Sequence, residues 1–429
     1  MSKKTAPIKV DRARKKALRK AALFQFAIAD RIDFLSAPAW DAVTQSATFF
    51  LQRDYLRMLE AVAPDNLEPR YALIFDEGRP VAALYMQMVE LTPDRLRKPP
   101  EAEGKAGKRK KALALLSKLS GKAGAKVGDV LNDALTSRVL VGGNLLSYGF
   151  HAAAFAPDVD LDRVWHAVAE VFYRIRRAEK LSGQAGFVLV KDLTESELHV
   201  DEVMVGLSYR RIDTEPNMVL AVPAGWKRYD DYLGSLASKY KSAVRNQIFK
   251  PIEAAGYRVE RLLDVAAEGA RLHQLYMAVH GNASLRPVTL PTSYFPALAA
   301  MAGERLRCSV VRNDEHLAGF IITLRDRDEC IGYHIGFDRK LAKDLPVYLR
   351  LLHASIEESI GLGCKRISFG RTALEPKARL GCVPEPMSVW VRHRQPVLNA
   401  FIKNLLGNID HDEAPARNPF KKSEAAAES

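Results

Sequence analysis

A cluster of charged residues directly follows the segment CKRISFG (364–370). Its members are Arg371, Glu375, Lys377 and Arg379. Because CKRISFG is typical of a strand, these side chains should lie at the carboxyl end of that strand, where open α/β sheets bind ligands. Three cations around one carboxylate suit an anionic ligand, with Glu375 as proton acceptor from an amine. A cluster of surface salt bridges is the alternative.

Two further candidates lie in the segment ECIGYHIGF (329–337), which has the pattern of a strand. Tyr333 and His334 occupy successive positions, so only one of them is expected to face a given side of the sheet. His334 is a candidate base because an imidazole titrates near neutral pH, and a buried, hydrogen-bonded histidine is the alternative. Cys382 follows the charged cluster, but the sequence shows no base partner that would make it a nucleophile.

Three cations, Arg339, Lys340 and Lys343, lie between this segment and the next helical pattern. Guanidinium and ammonium groups bind phosphate through charge-assisted hydrogen bonds, so the loop is a candidate phosphate site. Asp344 fits the N-cap position of the following helix, with Pro346 just inside it. A carboxylate there would repel a phosphate, and a plain solvated turn is the alternative.

The elements that must position these residues occur twice in the chain. Residues 49–91 and 288–326 each have the pattern of a helix, led by Tyr55 and Tyr294, and of two strands split by a short polar turn, which is typical of a hairpin. A strand, an amphipathic helix and a second strand follow each hairpin, at 144–155, 160–181 and 186–193 in the first copy and at 329–337, 345–363 and 364–372 in the second. This order predicts two α/β domains with mixed sheets.

The net charge of +13 is concentrated in two segments. Residues 1–31 carry ten basic and two acidic residues, and residues 94–129 carry eleven basic and four acidic ones. Such blocks are usually solvated chain, and contact with the phosphates of nucleic acid or lipid is the alternative. A hydrophobic content of 48% is that of a globular protein, and no apolar run reaches the ~20 residues that cross a bilayer.

The four cysteines show neither CxxC spacing nor a neighbouring histidine pair. This pattern predicts no metal site and no disulfide framework, and it indicates a reducing compartment. The apolar stretch AALFQFAIA (21–29) follows basic residues, but Gln25 interrupts it and Asp30 comes directly after it. We interpret it as an amphipathic helix and not as a secretory signal, and we expect a cytoplasmic protein.

The order of elements, with a helical arm before the second copy, resembles the tandem Fem-type and peptidoglycan-biosynthesis-like branch of the GNAT acyltransferase superfamily. The segment SLASKYKSAVRNQIFKPIEAAG (235–256) is similar to the basic helix of that branch, Ser-Lys-Tyr-Arg followed by further cations. The segment CKRISFGRTALEPKARLG (364–381) is similar to its strand-and-loop signature, a Ser-Phe-Gly strand end followed by Lys-x-x-x-Gly, here Lys377 to Gly381.

The resemblance implies an N-acyltransferase that passes an acyl group directly from acyl-CoA to an amine, without a metal. The donor would lie in a gap between ECIGYHIGF and CKRISFG, where unpaired backbone N–H groups bind its carbonyls, and its pyrophosphate would lie at the N-terminus of the next helix. The implied donor-binding residues are Arg339, Lys340, Lys343, Arg371 and Arg379, and the implied catalytic residues are Glu375, Lys377, His334 and Tyr333.

The predicted architecture is α/β, with mixed sheets in two tandem GNAT-like acyltransferase domains and a helical arm between them. The second copy is expected to hold the reaction centre, because the matching strand end of the first copy (188–199) is acidic where the second is basic. The predicted segments are a basic N-terminal tail (1–30), domain 1 (31–215) with a basic insertion (94–129), domain 2 (216–405) with the helical arm (230–256), and a disordered tail (406–429).

Two other functions stay open at this point. The Fem-type branch uses aminoacyl-tRNA, and the arm cations Lys239, Lys241, Arg245 and Lys250 suit such a polyanionic donor. The phosphate loop also departs from the superfamily pattern, since it contains no glycine, and the acceptor of a Fem-like transferase would be a cell-envelope precursor. The other alternative is a non-enzymatic basic protein whose tail and insertion bind nucleic acid or an anionic membrane surface.

Overall fold

The computed structural model describes residues 24–92, 138–179, 185–194, 200–283, 286–400, 415 and 417–421. The basic insertion and most of the predicted N-terminal tail lie outside these residues. The described residues divide into two compact units, the first within 1–60, 65–214 and 387–409, and the second within 61–64, 215–386 and 410–429. Residues 387–400, which the sequence places in domain 2, therefore lie in the first unit.

The first unit contains the first copy of the predicted repeat. Its elements are β1 (Gln25–Ala29), α1 (Ala37–Thr44), α2 (Arg53–Ala61), β2 (Leu67–Asp76), β3 (Arg79–Glu90), β4 (Arg138–Gly142), β5 (Ala153–Phe155), α3 (Leu161–Ala178), β6 (Ala185–Leu193) and α4 (Asp201–Gly206). Antiparallel β1, β2 and β3 are followed in the sheet by β4, which pairs with β6 in parallel. The stretch 21–29, predicted to be a helix, instead supplies β1 along the edge of β2.

The core of the first unit lies between this sheet and α3. Asp160 caps the helix by accepting a hydrogen bond from the N–H of Arg163, and apolar residues at helical spacing bury one face, including Trp165 and Phe172. The predicted strand 144–155 is wrong over most of its length. Only its last three residues form a strand, β5, because residues 143–152 leave the sheet between β4 and β5 as a loop.

The second unit contains the second copy of the repeat. Its elements are β7 (Arg210–Ala221, in this unit from Glu215), α5 (Tyr229–Ser235), α6 (Ser238–Ala243), α7 (Lys250–Ala254), β8 (Arg258–Arg261), α8 (Gly269–His280), α9 (Tyr294–Ala302), β9 (Leu306–Arg312), β10 (Leu317–Asp326), β11 (Glu329–Phe337), α10 (Val347–Gly361), β12 (Arg366–Ser368), α11 (Leu374–Arg379) and β13 (Val383–His393, in the first unit from Met387). The sheet order is β7-β12-β11-β10-β9-β8, and only β11 and β12 pair in parallel. Val347 and Leu351 of α10 pack directly against Gly319 of β10, where a larger residue has no room.

The helix of the arm continues through Pro251, although proline often ends a helix. A π-helical turn, Val244–Phe249, joins α6 to α7, and helix continues through Pro251 to Ala254. The π turn shifts the backbone pairing just before Pro251, which has no N–H to donate. Gly256 has φ 77°, the left-handed conformation in which glycine commonly ends a helix.

Two sequence expectations about the second unit fail. Cys330 of β11 and Cys364, just before β12, form a disulfide, so the expectation of no disulfide is wrong. Residues 417–421, inside the predicted disordered tail, pack on the second unit. Phe420 forms a β-bridge with Leu236, and its ring contacts Trp226. Among the described residues, no helix is both long and apolar enough to span a bilayer.

Candidate functional site

The parallel strands β11 and β12 diverge and leave a gap between them. They pair only at three positions, from Glu329 opposite Arg366 to Ile331 opposite Ser368. Beyond that point β11 pairs only with β10 among the described strands, and Phe369 and Gly370 bond instead to Met218 of β7. The β11–β12 ladder therefore ends at Ile331 and Ser368, and two strands that separate in this way leave the arrangement expected of a carbonyl-binding gap.

A β-bulge lies where the gap opens. His334 pairs with Ile322 and Gly332 with Thr323, so Tyr333 is the extra residue of β11. Bulges re-aim side chains, and the expectation that Tyr333 and His334 point to opposite faces is wrong. Both contact Tyr294 of α9: the two tyrosine hydroxyls lie 2.6 Å apart, and the ring centroids of Tyr294 and His334 lie 5.9 Å apart.

His334 lies among aromatic rings rather than beside an acid. Tyr276 and Phe295 flank its ring together with Tyr294, and no described residue bonds its buried Nε2. Burial in these surroundings, with a smaller contribution from His280, lowers the pKa of His334 to about 3. The imidazole is therefore neutral near pH 7 and is a weak proton acceptor.

Lys377 is buried at the end of β12. It lies in the short helix α11, which begins after Ala373, a residue with a left-handed backbone conformation (φ 53°). Lys377 points inward, and only 2% of the residue is exposed. Its Nζ donates hydrogen bonds to the carbonyl oxygens of Phe369 (2.6 Å) and Gly370 (3.1 Å). The ammonium therefore fixes the strand end that forms one wall of the gap.

Burial lowers the pKa of Lys377 to about 8 from its usual 10.5. Between pH 8 and 10.5 the unfolded chain then binds more protons at this residue than the folded protein, so the free energy of unfolding should rise with pH in that window. In Lys377→Met this contribution is absent. We expect the wild-type stability, measured relative to the variant by urea denaturation at pH 7, 8, 9 and 10, to increase above pH 8. A difference that is constant or falls with pH would contradict the assignment.

Glu375 lies on the surface and is neutralised by two arginines. Its Oε1 accepts hydrogen bonds from Arg379 and Arg417, each at 2.9 Å, and these partners lower its pKa, which weakens it as a proton acceptor. The predicted grouping of Arg371, Lys377 and Arg379 around this carboxylate is therefore wrong for Lys377. Sequence reasoning missed Arg417 because it treated residues 406–429 as disordered.

The predicted phosphate loop leads from β11 to the N-terminus of α10. Arg339, Lys340 and Lys343 are all exposed on it. Asp338 caps its first turn by accepting hydrogen bonds from the N–H groups of Lys340 and Leu341. The expectation that Asp344 caps the next helix is wrong: α10 begins after Pro346 with no side-chain cap. Three cations and the N-terminal turn of a 15-residue helix thus lie at the open end of β11.

The corresponding place in the first unit is filled by the chain itself. Lys191 of β6 donates a hydrogen bond to the carbonyl of Ser147, and Asp192 accepts one from the N–H of Gly149, so the loop 143–152 is bound to the strand end. Lys191 and Asp192 also form a buried ion pair. The β4–β6 pairing extends over five residues, compared with three for β11–β12. Of the two copies, the second offers the open gap.

The comparison with protein families agrees with this geometry. Residues 238–377 match the family model described as an acetyltransferase (GNAT) domain. This range contains the arm from Ser238 onward, the diverging strands, the cationic loop and Lys377. The second unit holds a GNAT domain. For this domain the predicted GNAT superfamily is thereby confirmed, and with it the predicted enzyme class of N-acyltransferase.

Similarity to solved structures extends beyond the GNAT domain. The crystal structure of FemX is similar, with a TM-score of 0.52 and 11% identity over 86% of this chain and 98% of that one. A tandem GNAT protein from the clavulanic acid biosynthesis pathway gives a TM-score of 0.49 and 11% identity over 87% and 99%. At such identity the likeness to FemX shows the fold alone, and it confirms the predicted α/β fold class over most of the chain. No curated relative matches the chain.

Proposed function

We propose that the second unit transfers an acyl group from acyl-CoA to an amine by direct attack. The observation that carries this proposal is the divergence of β11 and β12 beside the cationic loop and the N-terminus of α10. Backbone N–H groups of β11 along the gap would bind the donor carbonyls, and the loop cations Arg339, Lys340 and Lys343 would contact the donor pyrophosphate. Arg371 and Arg379, near the other wall, are further candidates for contact with donor phosphates.

In the proposed step the neutral amine attacks the thioester carbon. The C–N bond forms, the C–S bond breaks, and the electron pair leaves with the sulfur as thiolate. Backbone N–H groups of β11 stabilise the negative charge that develops on the carbonyl oxygen. The Tyr333 hydroxyl, which is hydrogen-bonded to the Tyr294 hydroxyl, gives its proton to the thiolate. The proton lost by the amine then replaces it on Tyr333. His334 and Glu375 are assigned no proton transfer, and Lys377 is assigned a positioning role.

A second candidate donor is aminoacyl-tRNA, with a C–O ester bond broken in place of C–S. The arm favours it: Lys239, Lys241, Arg245 and Lys250 are all exposed and belong to the matched range. A row of such cations suits a nucleic-acid backbone. The acceptor in either case is an amine, and the Fem-type likeness favours one on a cell-envelope precursor made in the cytoplasm.

A thermal-shift experiment separates the donors. Coenzyme A at about 100 times its dissociation constant should stabilise the protein by about 2.7 kcal/mol and raise Tm by a few degrees. Replacing Arg339, Lys340 and Lys343 together by glutamate should remove this shift, while the same change at Lys239, Lys241 and Arg245 should leave it intact. A thermal shift with tRNA that is lost when Lys239, Lys241 and Arg245 are replaced, together with aminoacyl transfer, would support aminoacyl-tRNA as the donor. Salt-sensitive nucleic-acid binding without any transfer would overturn the enzymatic proposal.

A further inference from the structure

A recess in the first unit brings three arginines together. It is open to solvent. Its walls are Tyr173, Arg176, Val188, Tyr209, Arg392, His393 and Arg394. We call this recess the arginine pocket. It is formed entirely by the first unit and is independent of the proposed transfer reaction in the second.

The backbone around the arginine pocket is held by specific hydrogen bonds. The N–H of Arg394 bonds to the carbonyl of Gly186, at the start of β6. Asn399 accepts from the N–H of His393 and donates to the carbonyl of Ser208, next to Tyr209. These bonds fix the end of β13 and the start of β7 within one unit, so the arginines project from a defined frame.

Two of the arginines are stacked on tyrosines. The guanidinium carbon of Arg392 lies 5.7 Å from the ring centroid of Tyr209, and that of Arg176 lies 5.6 Å from the centroid of Tyr173. A ring on one face of a guanidinium partly desolvates it, and the remaining N–H groups of the guanidinium can bind an anion. The contacts therefore orient both cations without neutralising either.

The charge of the arginine pocket is uncompensated among the described residues. No described carboxylate lines it, and none forms an ion pair with Arg176, Arg392 or Arg394. Burial lowers the pKa of Arg176, and the neighbouring Arg392 and Arg394 lower it further. Like charges held together in this way favour binding of an anion that several of them share.

His393 contributes a neutral donor to the same wall. Its Nδ1 accepts a hydrogen bond from the N–H of Gln395 at 3.0 Å, so the neutral ring carries its proton on Nε2. Burial, with contributions from Arg394 and Arg176, lowers the pKa of His393 and keeps the ring neutral near pH 7. The pocket wall thus combines guanidinium groups with an imidazole N–H, and it presents no described anionic group.

We propose that the arginine pocket binds the phosphate group of a phosphorylated ligand. The guanidinium fork matches phosphate oxygens in pairs, and two or three such groups suit a dianionic or more highly charged group better than a single carboxylate. The phosphate could belong to a soluble small molecule or to a lipid headgroup.

Isothermal titration of the full-length protein with inorganic pyrophosphate tests the site. We expect binding to weaken at least 10-fold in Arg176→Ala and in Arg392→Ala, and about 100-fold in the double variant. The matched control is Arg174→Ala, on the same helix but paired with Glu170 and stacked on Phe26, outside the pocket. The control should bind as wild type does. Circular dichroism melts check that each variant is folded.

Vesicle sedimentation identifies the source of the phosphate. Phosphatidylglycerol vesicles bound in preference to phosphatidylcholine, with loss of binding in the Arg176→Ala/Arg392→Ala variant, would assign a lipid headgroup. Pyrophosphate binding without vesicle binding would assign a soluble ligand. The proposal is overturned if neither probe binds, or if Arg174→Ala weakens binding as much as the pocket variants do, since the effect would then be one of general charge.

Discussion

Replacing Lys377 by methionine should reduce acyl transfer at least about 100-fold. Hydrogen bonds that involve a charged partner contribute roughly 1.5–3 kcal/mol each, and Lys377 makes two, to the carbonyls of Phe369 and Gly370. A loss of about 3 kcal/mol in the positioning of the β12 strand end corresponds to a factor of about 100 in rate. Methionine has a similar volume, so the variant removes the ammonium without leaving a large cavity. Initial rates with a fixed donor and amine, separated into kcat and KM, measure the effect.

Lys365 provides the control for this substitution. It lies just before the same strand, but its side chain is 78% exposed and pairs with Asp328 on the surface. Surface pairs of this kind contribute little, so Lys365→Met should retain at least about half of the wild-type rate. Because Lys377 acts through the backbone, a positioning role also predicts weaker protection by coenzyme A in a thermal shift. Wild-type rates in a folded Lys377→Met protein would show that the gap does not depend on this residue.

Replacing Lys191 by methionine should destabilise the first unit by about 3–5 kcal/mol. Its side chain is 5% exposed and that of Asp192 is 1% exposed, and removing one member of a buried pair leaves the other charge uncompensated. The variant also leaves the Ser147 carbonyl without its donor and releases one attachment of the loop 143–152. Urea denaturation followed by circular dichroism should show the transition of this unit moving to lower urea.

Two further variants separate charge burial from other effects. In the double variant Lys191→Met/Asp192→Asn no charge remains buried, so it should recover part of the lost stability, and asparagine tolerates the left-handed backbone at position 192 (φ 59°). Arg174→Met, which breaks an exposed pair with Glu170, should cost no more than about 0.5 kcal/mol. A loss of under 1 kcal/mol in Lys191→Met would contradict the role of the buried pair.

Local patterns predicted the repeated elements well. The polar turn after β2 is found where the sequence places it, with Glu77 and Gly78 both at positive φ, as a tight hairpin requires. The helix predicted at 345–363 is observed as Val347–Gly361, because its apolar residues recur at helical spacing and its end lies close to glycines. Both features depend on neighbours in sequence, which is why periodicity and turn chemistry identify them.

Features that depend on distant partners were not predictable in this way. The loop 143–152 has an apolar pattern that is compatible with a strand, but Lys191 and Asp192, some forty residues later, hold it away from the sheet. The Cys330–Cys364 disulfide joins residues 34 positions apart with no diagnostic spacing. The bulge at Tyr333 results from the register between β10 and β11, which strand alternation does not encode.

In the candidate site, too, local features were predictable and contacts with distant residues were not. The sequence placed charged residues at the end of a strand, and the structure locates them there. It could not show that α11 turns Lys377 inward while Glu375 stays on the surface, because six residues are too few for a helical pattern to define a buried face. Nor could it place Arg417 beside Glu375, since that contact spans 42 residues.

The aromatic ring at position 369 packs against β11 beside the gap. Gly332 has no side chain, and the Phe369 ring occupies the neighbouring space, 2.9 Å from where a β-carbon would stand. This ring lies where the two strands begin to separate, so under the proposed function it forms the floor against which the acyl tail ends. Selection among donors by acyl-chain length would then depend on this one phenyl group.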